Sequence, residues 1–266
     1  MESYADALSL CDLLRETVMR EAVRSLELPS GSRGLDAGCG IGSHIPRLAE
    51  AIGPGGHVTG VDLSSDHIAR AREIICKPDR PEYISLRQGD VGNLSFEDNC
   101  FDWAWSVDCV GYPAVSSLRQ VEELVRVVRP GGLIALAGWT SQQLLPGYPL
   151  LETRLNAPGT IYPASVKTGR AELHFMRAQG WLGKVGLNEL QVRTFVGNIQ
   201  APLTADERKA VAYLFEMFWD GAQSDVSPRD WEDYKRLCRP ESPDFILNQP
   251  DYNAFFTYTM FRGVVP

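Results

Sequence analysis

Apolar positions follow two rhythms along this chain. Between Ala5 and Leu28 they recur at helical spacing (Leu8, Cys11, Leu14, Val18, Ala22). That predicts one or two amphipathic helices in an N-terminal helical segment, residues 1–29. Beyond residue 33, short apolar runs alternate with helical patterns. GLDAGCG reads as a strand entering a glycine turn, and SHIPRLAEAIG as a helix stopped by Gly53 and Pro54. GHVTGVDLS is a second strand, SDHIARAREIIC a helix opened by Ser64 or Ser65, and ISLRQGDV a third strand. FDWAWSVDCV is a fourth, apolar at nearly every position as suits a strand covered on both faces. VSSLRQVEELVRVVR then forms a helix closed by Pro130, Gly131 and Gly132, and GLIALAGW a fifth strand. This alternation predicts right-handed crossovers and an α/β fold: a doubly wound, mostly parallel seven-stranded sheet with helices on both faces.

After Trp139 the pattern loosens. The proline-rich stretch from Thr140 to Thr168 reads as a lid, with Tyr148 and Tyr162 as candidate wall residues. RAELHFMRAQGW is a predicted helix and NELQVRTFVGNI a strand. Residues 205–240 hold two helices, and YNAFFTYTMFRGVV is a last strand, expected to make a hairpin-like pairing at the sheet edge. The whole chain, 1–266, is read as one domain, with 140–180 and 203–250 as helical and loop insertions capping a substrate site.

Composition narrows the function. A chain of 266 residues buries a sizeable core, and its net charge of −8 argues against a nucleic-acid partner, whose phosphates need a basic surface. Apolar runs are too short for a membrane span, and the acidic N-terminus does not read as a secretory signal. The six cysteines form no CxxC pair and read as free thiols in a reducing compartment, the cytoplasm. His44, His57, His67 and His174 are scattered, so no metal site is expected.

The candidate chemistry sits in GLDAGCGIGSH, residues 34–44. A glycine turn between strand and helix holds a nucleotide-like ligand. The phosphate-loop pattern is absent, and no Lys or Arg lies between Gly34 and Ile45. A dinucleotide fingerprint needs a third glycine where Ser43 stands. Asp36 before the turn, Asp62 ending the second strand and Asp90 ending the third place three carboxylates at successive strand ends. Carboxylates repel a pyrophosphate and suit a cationic ligand without phosphate, such as S-adenosylmethionine.

GLDAGCGIGSH, VTGVDLSSDHIARARE, LRQGDVGNLSFEDNCFDWAWSVD and ELVRVVRPGGLIAL together resemble the class I S-adenosylmethionine-dependent methyltransferases over residues 30–140. The resemblance implies that Gly38, Gly40 and Gly42 pass close to the methionine moiety, with Asp36, Ala37 and Cys39 also among the cofactor-binding residues. It further implies that Asp62 holds the ribose hydroxyls, Leu63 and Val91 flank the adenine, Asp90 beside Gly89 accepts from its amine, and His67 lies near it. Ser106 and Asp108 fall near the methionine portion or the methyl acceptor, and Asp108 and Tyr112 are the catalytic candidates. The implied reaction is metal-independent, in-line transfer of methyl to O, N, S or C of a small, partly apolar acceptor, leaving S-adenosylhomocysteine. A monomer or homodimer is expected. Other readings compatible with the residues are a fold of this type that binds the cofactor without transfer, a protein or RNA methyltransferase, and an NAD-dependent oxidoreductase. The [DN]PP[YF] motif of amine methylation is absent from SVDCVGYP, which counts against the nucleic-acid variant.

Overall fold

The N-terminal pattern resolves into a single helix, α1 (Tyr4–Arg24), in a computed structural model that describes residues 4–75, 83–111, 117–157 and 169–266. Cys11, Val18, Met19, Ala22 and Val23 form its buried stripe. The central sheet is built from β1 (Arg33–Ala37), β2 (His57–Asp62), β3 (Ile84–Gln88), β4 (Phe101–Val107) and β5 (Val128–Gln143), all mutually parallel. Between them run α2 (Ile45–Ile52), α3 (Ser65–Ile75) and α4 (Ser117–Val127). In α2 the residues Ile45, Leu48, Ala49 and Ile52 face inward at the spacing one helix face requires, and Gly53 ends the helix at φ 64°.

The later elements are α5 (Pro149–Asn156), two 3-10 turns at Ala171–Leu173 and Phe175–Arg177, α6 (Ala178–Lys184), β6 (Asn188–Gln200), α7 (Ala205–Trp219), α8 (Pro228–Cys238) and β7 (Asn253–Val264). A capping box fixes the start of α7: Thr204 accepts from the Glu207 amide while the Glu207 carboxylate accepts from the Thr204 amide. The two helices expected within 205–240 are α7 and α8. The helix expected over 170–181 is broken, because only its last part continues as α6.

The strand order is β3-β2-β1-β4-β5-β7-β6, the expected doubly wound and mostly parallel seven-stranded sheet. The last strand departs from expectation. β7 does not close the edge; it inserts antiparallel between β5 and β6, leaving β6 outermost. Its near-continuous burial from Tyr258 to Phe261 is that of an interior strand. The fifth strand also runs further than its sequence pattern, through a register shift between Trp139 and Ser141 to Gln143. Residues 140–143 are therefore sheet rather than lid.

Two cores cover the two sheet faces. One gathers Leu35 and Ala37 with Val121, Leu124, Ala178 and Leu182 from α4 and α6. The other, larger core joins α1, α2, α7 and α8 and includes Trp103 and Trp105. Side chains alternate across β1, so Asp36 points away from Leu35 and Ala37, and its register partner is Trp105.

Candidate functional site

The chain leaves β1 through a turn that only glycine fits at two places. Gly38 has φ 78°, and a Cβ there would lie 2.2 Å from the Cys109 sulfur. Gly40 has φ 54°, yet nothing lies within 4 Å of a Cβ built on it. The first glycine lets two backbones approach; the second keeps a ledge of bare backbone facing open space. That space is a cavity of about 560 Å³ at the carboxyl ends of β1, β2 and β4. In open parallel sheets this is where ligands lie.

Asp62, at the end of β2, lines the cavity and ties its floor together. Its Oδ2 accepts from the Gly40 amide at 2.8 Å, and its Oδ1 accepts from the Ser64 amide at 2.9 Å with His67 Nδ1 at 3.2 Å. A carboxylate offers about four lone-pair directions, so one position remains for a ligand. Asp36 in β1 is not part of the cavity wall; it is fully buried, and neither carboxylate oxygen has a partner among the described residues. Burial, and after it the negative charge of Asp62, push its pKa up to about 8. Leu63 is 71% exposed beside Asp62, an apolar surface of the kind a flat ring covers.

The opposite wall comes from distant parts of the chain. Asp108, just past β4, adopts φ 49°, and its amide donates to the Ala137 carbonyl at 3.0 Å. Its Oδ1 accepts from the Trp139 amide at 2.9 Å; its Oδ2 accepts from the Tyr258 hydroxyl at 2.7 Å and from the Arg15 guanidinium at 3.1 Å. Arg15 also donates to the Tyr258 oxygen at 3.0 Å and pairs with Asp12. Burial opposes the Arg15 charge, and Tyr258, Asp12 and Asp108 more than offset it. Burial raises the Tyr258 hydroxyl well above its usual range, so it is a proton donor here rather than a base. Trp139, Leu214, Met217 and Phe218 add an apolar side, and Leu8 and Cys11 of α1 close the top. Burial also raises the three thiols at the cavity, Cys11 to about 11, Cys109 to about 12 and Cys39 further still, so none is a thiolate nucleophile.

The structure gathers Gly38, Cys39, Gly40, Asp62, His67 and Asp108 around one cavity. Ala37 is buried in the core and Gly42 packs against Ile75, both away from the cavity wall. Gly89 donates from its amide to the Asp62 carbonyl, placing the end of β3 beside that of β2. Asp90 is exposed and caps its own turn by accepting from the Gly92 amide, while Val91 is buried. Ser106 has a different task from the one expected. Its hydroxyl donates to the Ala37 carbonyl at 2.7 Å and accepts from the Val110 amide, a strut between β1 and β4. Asp108 reaches the cavity with both oxygens hydrogen-bonded, to Trp139, Tyr258 and Arg15, which leaves it one acceptor position, as on Asp62. Tyr112 and Tyr162 lie outside the described residues. Tyr148 does not line the cavity; it precedes α5, with Arg236 of α8 over its ring.

Sequence reasoning missed Arg15, Tyr258 and Trp139, and weighed His44 only as one of four scattered histidines. Arg15 did leave a trace: it falls four residues after Cys11 and seven after Leu8, on the buried face of α1, where a charge needs a partner. His44 is 7% exposed, lines the cavity, and stands edge-on to Trp105 at 6.5 Å.

Residues 35–132 match the protein family described as a methyltransferase domain. This stretch is similar to a methyltransferase domain, and the sheet around it has the class I fold. Over 133 residues it is 33% identical to a demethylmenaquinone methyltransferase of Desulfitobacterium hafniense, covering 48% of this chain and 50% of that protein. The chain thus spans about half the length of the curated relatives it matches. Phosphoethanolamine N-methyltransferase 2 of Haemonchus contortus, solved with S-adenosyl-L-methionine, superposes with a TM-score of 0.54 at 20% identity, covering 93% of this chain and 52% of that one. Geranyl diphosphate C-methyltransferase of Streptomyces coelicolor, solved with Mg2+, geranyl diphosphate and S-adenosyl-L-homocysteine, gives 0.53 at 14% identity, covering 94% and 79%. These likenesses show the shared fold of the methyltransferase domain. Among the described residues no group of three or more His, Cys, Asp or Glu could hold a metal ion, and no helix is long and apolar enough to cross a membrane.

Proposed function

We propose that this protein transfers a methyl group from S-adenosylmethionine to a small, partly apolar acceptor held in the cavity beneath α1. The observation that carries the reading is Asp36: a fully buried carboxyl group in β1, two residues before Gly38, with both oxygens unpartnered among the described residues. A buried acid without a partner is costly, and a cationic ligand close by relieves that cost. The bare ledge at Gly40 and the remaining acceptor position on Asp62 fit the same ligand. A diphosphate would meet Asp62 and Asp108 in the cavity wall, and the wall's one described guanidinium, Arg15, is already engaged by Asp12 and Asp108.

When bound, S-adenosylmethionine supplies a methyl carbon made electrophilic by its sulfonium. Gly38 and Gly40 admit the amino-acid end, and Asp62 holds the ribose. Asp90 and Leu63, both exposed and outside the enclosed part of the cavity, would flank the adenine ring. On the other side Trp139, Phe218, Met217 and Leu214 hold the acceptor and exclude water, which aligns the reactants and removes a competing nucleophile. The test is calorimetric titration of the full chain with S-adenosylmethionine, S-adenosylhomocysteine and NAD. Binding of the first two and not the third is expected. Preference for NAD, or no binding of the first two, refutes the reading. Incubation with methyl-labelled cofactor and a small-molecule extract then separates transfer from binding alone.

A further inference from the structure

We propose that His44 is a hydrogen-bond donor, through Nε2–H, to an oxygen atom of a ligand held in the cavity. The inference rests on the methyl-transfer reading for the choice of probes; its geometry is independent of it.

His44 stands where the glycine turn enters α2, and its ring lines the cavity while the residue is 93% buried, the complement of its 7% exposure. The edge-on contact with Trp105 fixes the ring at 84° to the indole plane. Nδ1 is sealed from solvent and has no partner among the described residues. The charged groups that act on the ring are Arg15 and Asp12 of α1. Burial and then the Arg15 guanidinium pull its pKa down to about 4, so it is neutral at neutral pH. A neutral imidazole carries its proton on one nitrogen only. With the proton on Nδ1, a buried N–H would be orphaned; with it on Nε2, only a bare lone pair is. Orphaned buried N–H groups are the rarer and costlier case. The proton therefore belongs on Nε2, and the sealing of Nδ1 leaves Nε2 as the nitrogen that can reach a ligand.

An oxygen entering this cavity finds little else to donate to it. Arg15 is committed to Asp12, Asp108 and Tyr258, and the Tyr258 hydroxyl donates to Asp108. The Gly40 amide donates to Asp62, and the Trp139 amide to Asp108. Ser43 and His67 also line the cavity with side chains able to donate, His67 with its Nδ1 at Asp62, and His44 is an uncommitted donor among the described residues. The oxygen has two sources in a methyltransferase: the carboxylate at the amino-acid end of the cofactor, or a carbonyl or hydroxyl of the methyl acceptor.

The test compares the full-length wild type with His44→Met, which fills the volume without a donor, and His44→Gln, whose amide N–H reaches the place of Nε2–H. Three probes are titrated calorimetrically: S-adenosylhomocysteine, its decarboxylated analogue, and menadione added to protein saturated with S-adenosylhomocysteine. His44→Met is expected to lose about ten-fold in affinity for one oxygen-bearing probe, as loss of one hydrogen bond does, and His44→Gln to recover most of it. A loss for S-adenosylhomocysteine but not its decarboxylated analogue identifies the cofactor carboxylate; a loss confined to menadione identifies an acceptor oxygen. If His44→Met binds all three as the wild type does, or His44→Gln falls as far as His44→Met, the inference is overturned. Should His44→Met not fold, 15N-histidine-labelled wild type gives the readout. A slowly exchanging Nε2–H signal must appear on loading with S-adenosylhomocysteine and menadione, and its absence overturns the inference. A wild type that binds no S-adenosylhomocysteine refutes the methyl-transfer reading itself, whatever the variants do.

Discussion

Asp36 makes the stability of this protein fall as pH rises. In the unfolded chain its carboxyl group ionises near 3.8; in the fold it holds its proton up to about 8. Between those values the native state carries one proton more than the unfolded state. An acid with a raised folded pKa contributes stability at low pH that is lost as pH climbs through this window. The slope is about −1.4 kcal/mol per pH unit, which accumulates to roughly 4 kcal/mol by about pH 7. His44 acts with the opposite sign, because its folded pKa is lowered to about 4 from 6.5 and its neutral form is favoured as pH rises across that range. The wild-type profile therefore mixes two terms, and the comparison must be with Asp36→Asn, in which only the first is absent. Urea unfolding followed by tryptophan fluorescence, in steps from about pH 5 to about pH 8, should show the variant gaining on the wild type at every step, by about 3–4 kcal/mol over the interval. The absolute offset depends on how the Asn amide is accommodated; the slope does not. A difference that stays constant within about 1 kcal/mol across the interval refutes the reasoning. The same titration links to the ligand. If a cationic ligand lowers the Asp36 pKa, binding near pH 7 releases protons from the wild type and none from Asp36→Asn. Calorimetry in buffers of different ionisation enthalpy measures this directly.

Asp62→Ala should weaken S-adenosylmethionine binding by roughly 2–4 kcal/mol, the loss of a charge-assisted contact; calorimetric affinity within about three-fold of wild type counts against it. Gly40→Val should abolish cofactor binding while the protein remains folded, because a branched side chain fills the open ledge and strains a φ of 54°; circular dichroism and calorimetry on one sample separate this from unfolding. Tyr258→Phe removes the hydroxyl that joins Asp108 to Arg15 and should cost about 1–3 kcal/mol of unfolding free energy, read from the urea midpoint at constant slope. An unchanged midpoint shows that the network contributes nothing to stability.

The parts of the fold that could be read from sequence are those whose signals are local. Period and punctuation placed β1 to β5 and their helices, because each strand is bounded by glycine, proline or a capping residue, and the acids at the ends of β1 and β2 fall beside the turn they accompany. What could not be read depends on contacts across the chain. YNAFFTYTMFRGVV declares itself a strand, but its alternation does not say which neighbours it has; insertion between β5 and β6 is decided by packing on both faces. Asp108 looked like a free acid because its partners lie 93 and 150 residues away in sequence, at Arg15 and Tyr258. Ser106 looked like a ligand group for the opposite reason: its position was legible, but the Ala37 carbonyl that takes up its hydroxyl is settled by strand register. His44 shows the limit most plainly, since the same residue at a helix start is ordinary when solvated and costly when sealed under α1.

The hydrogen bond from Arg15 to Tyr258 closes a loop of 243 residues. A chain growing from its N-terminus therefore has the glycine turn, Asp36 and Asp62 in place long before the wall that encloses them. Until β7 slides between β5 and β6, Arg15 lacks Tyr258, and the ledge at Gly40 opens on water. Ligand binding stabilises only the species that binds, so whatever a ligand gains from the Tyr258 side of the cavity is missing from a chain that still lacks β7. A closure this distant in sequence is also a slow kind of contact to make, because its entropy must be overcome before it contributes. The share of a ligand's protection against proteolysis and aggregation that depends on the Arg15–Tyr258 wall begins only after β7 has docked.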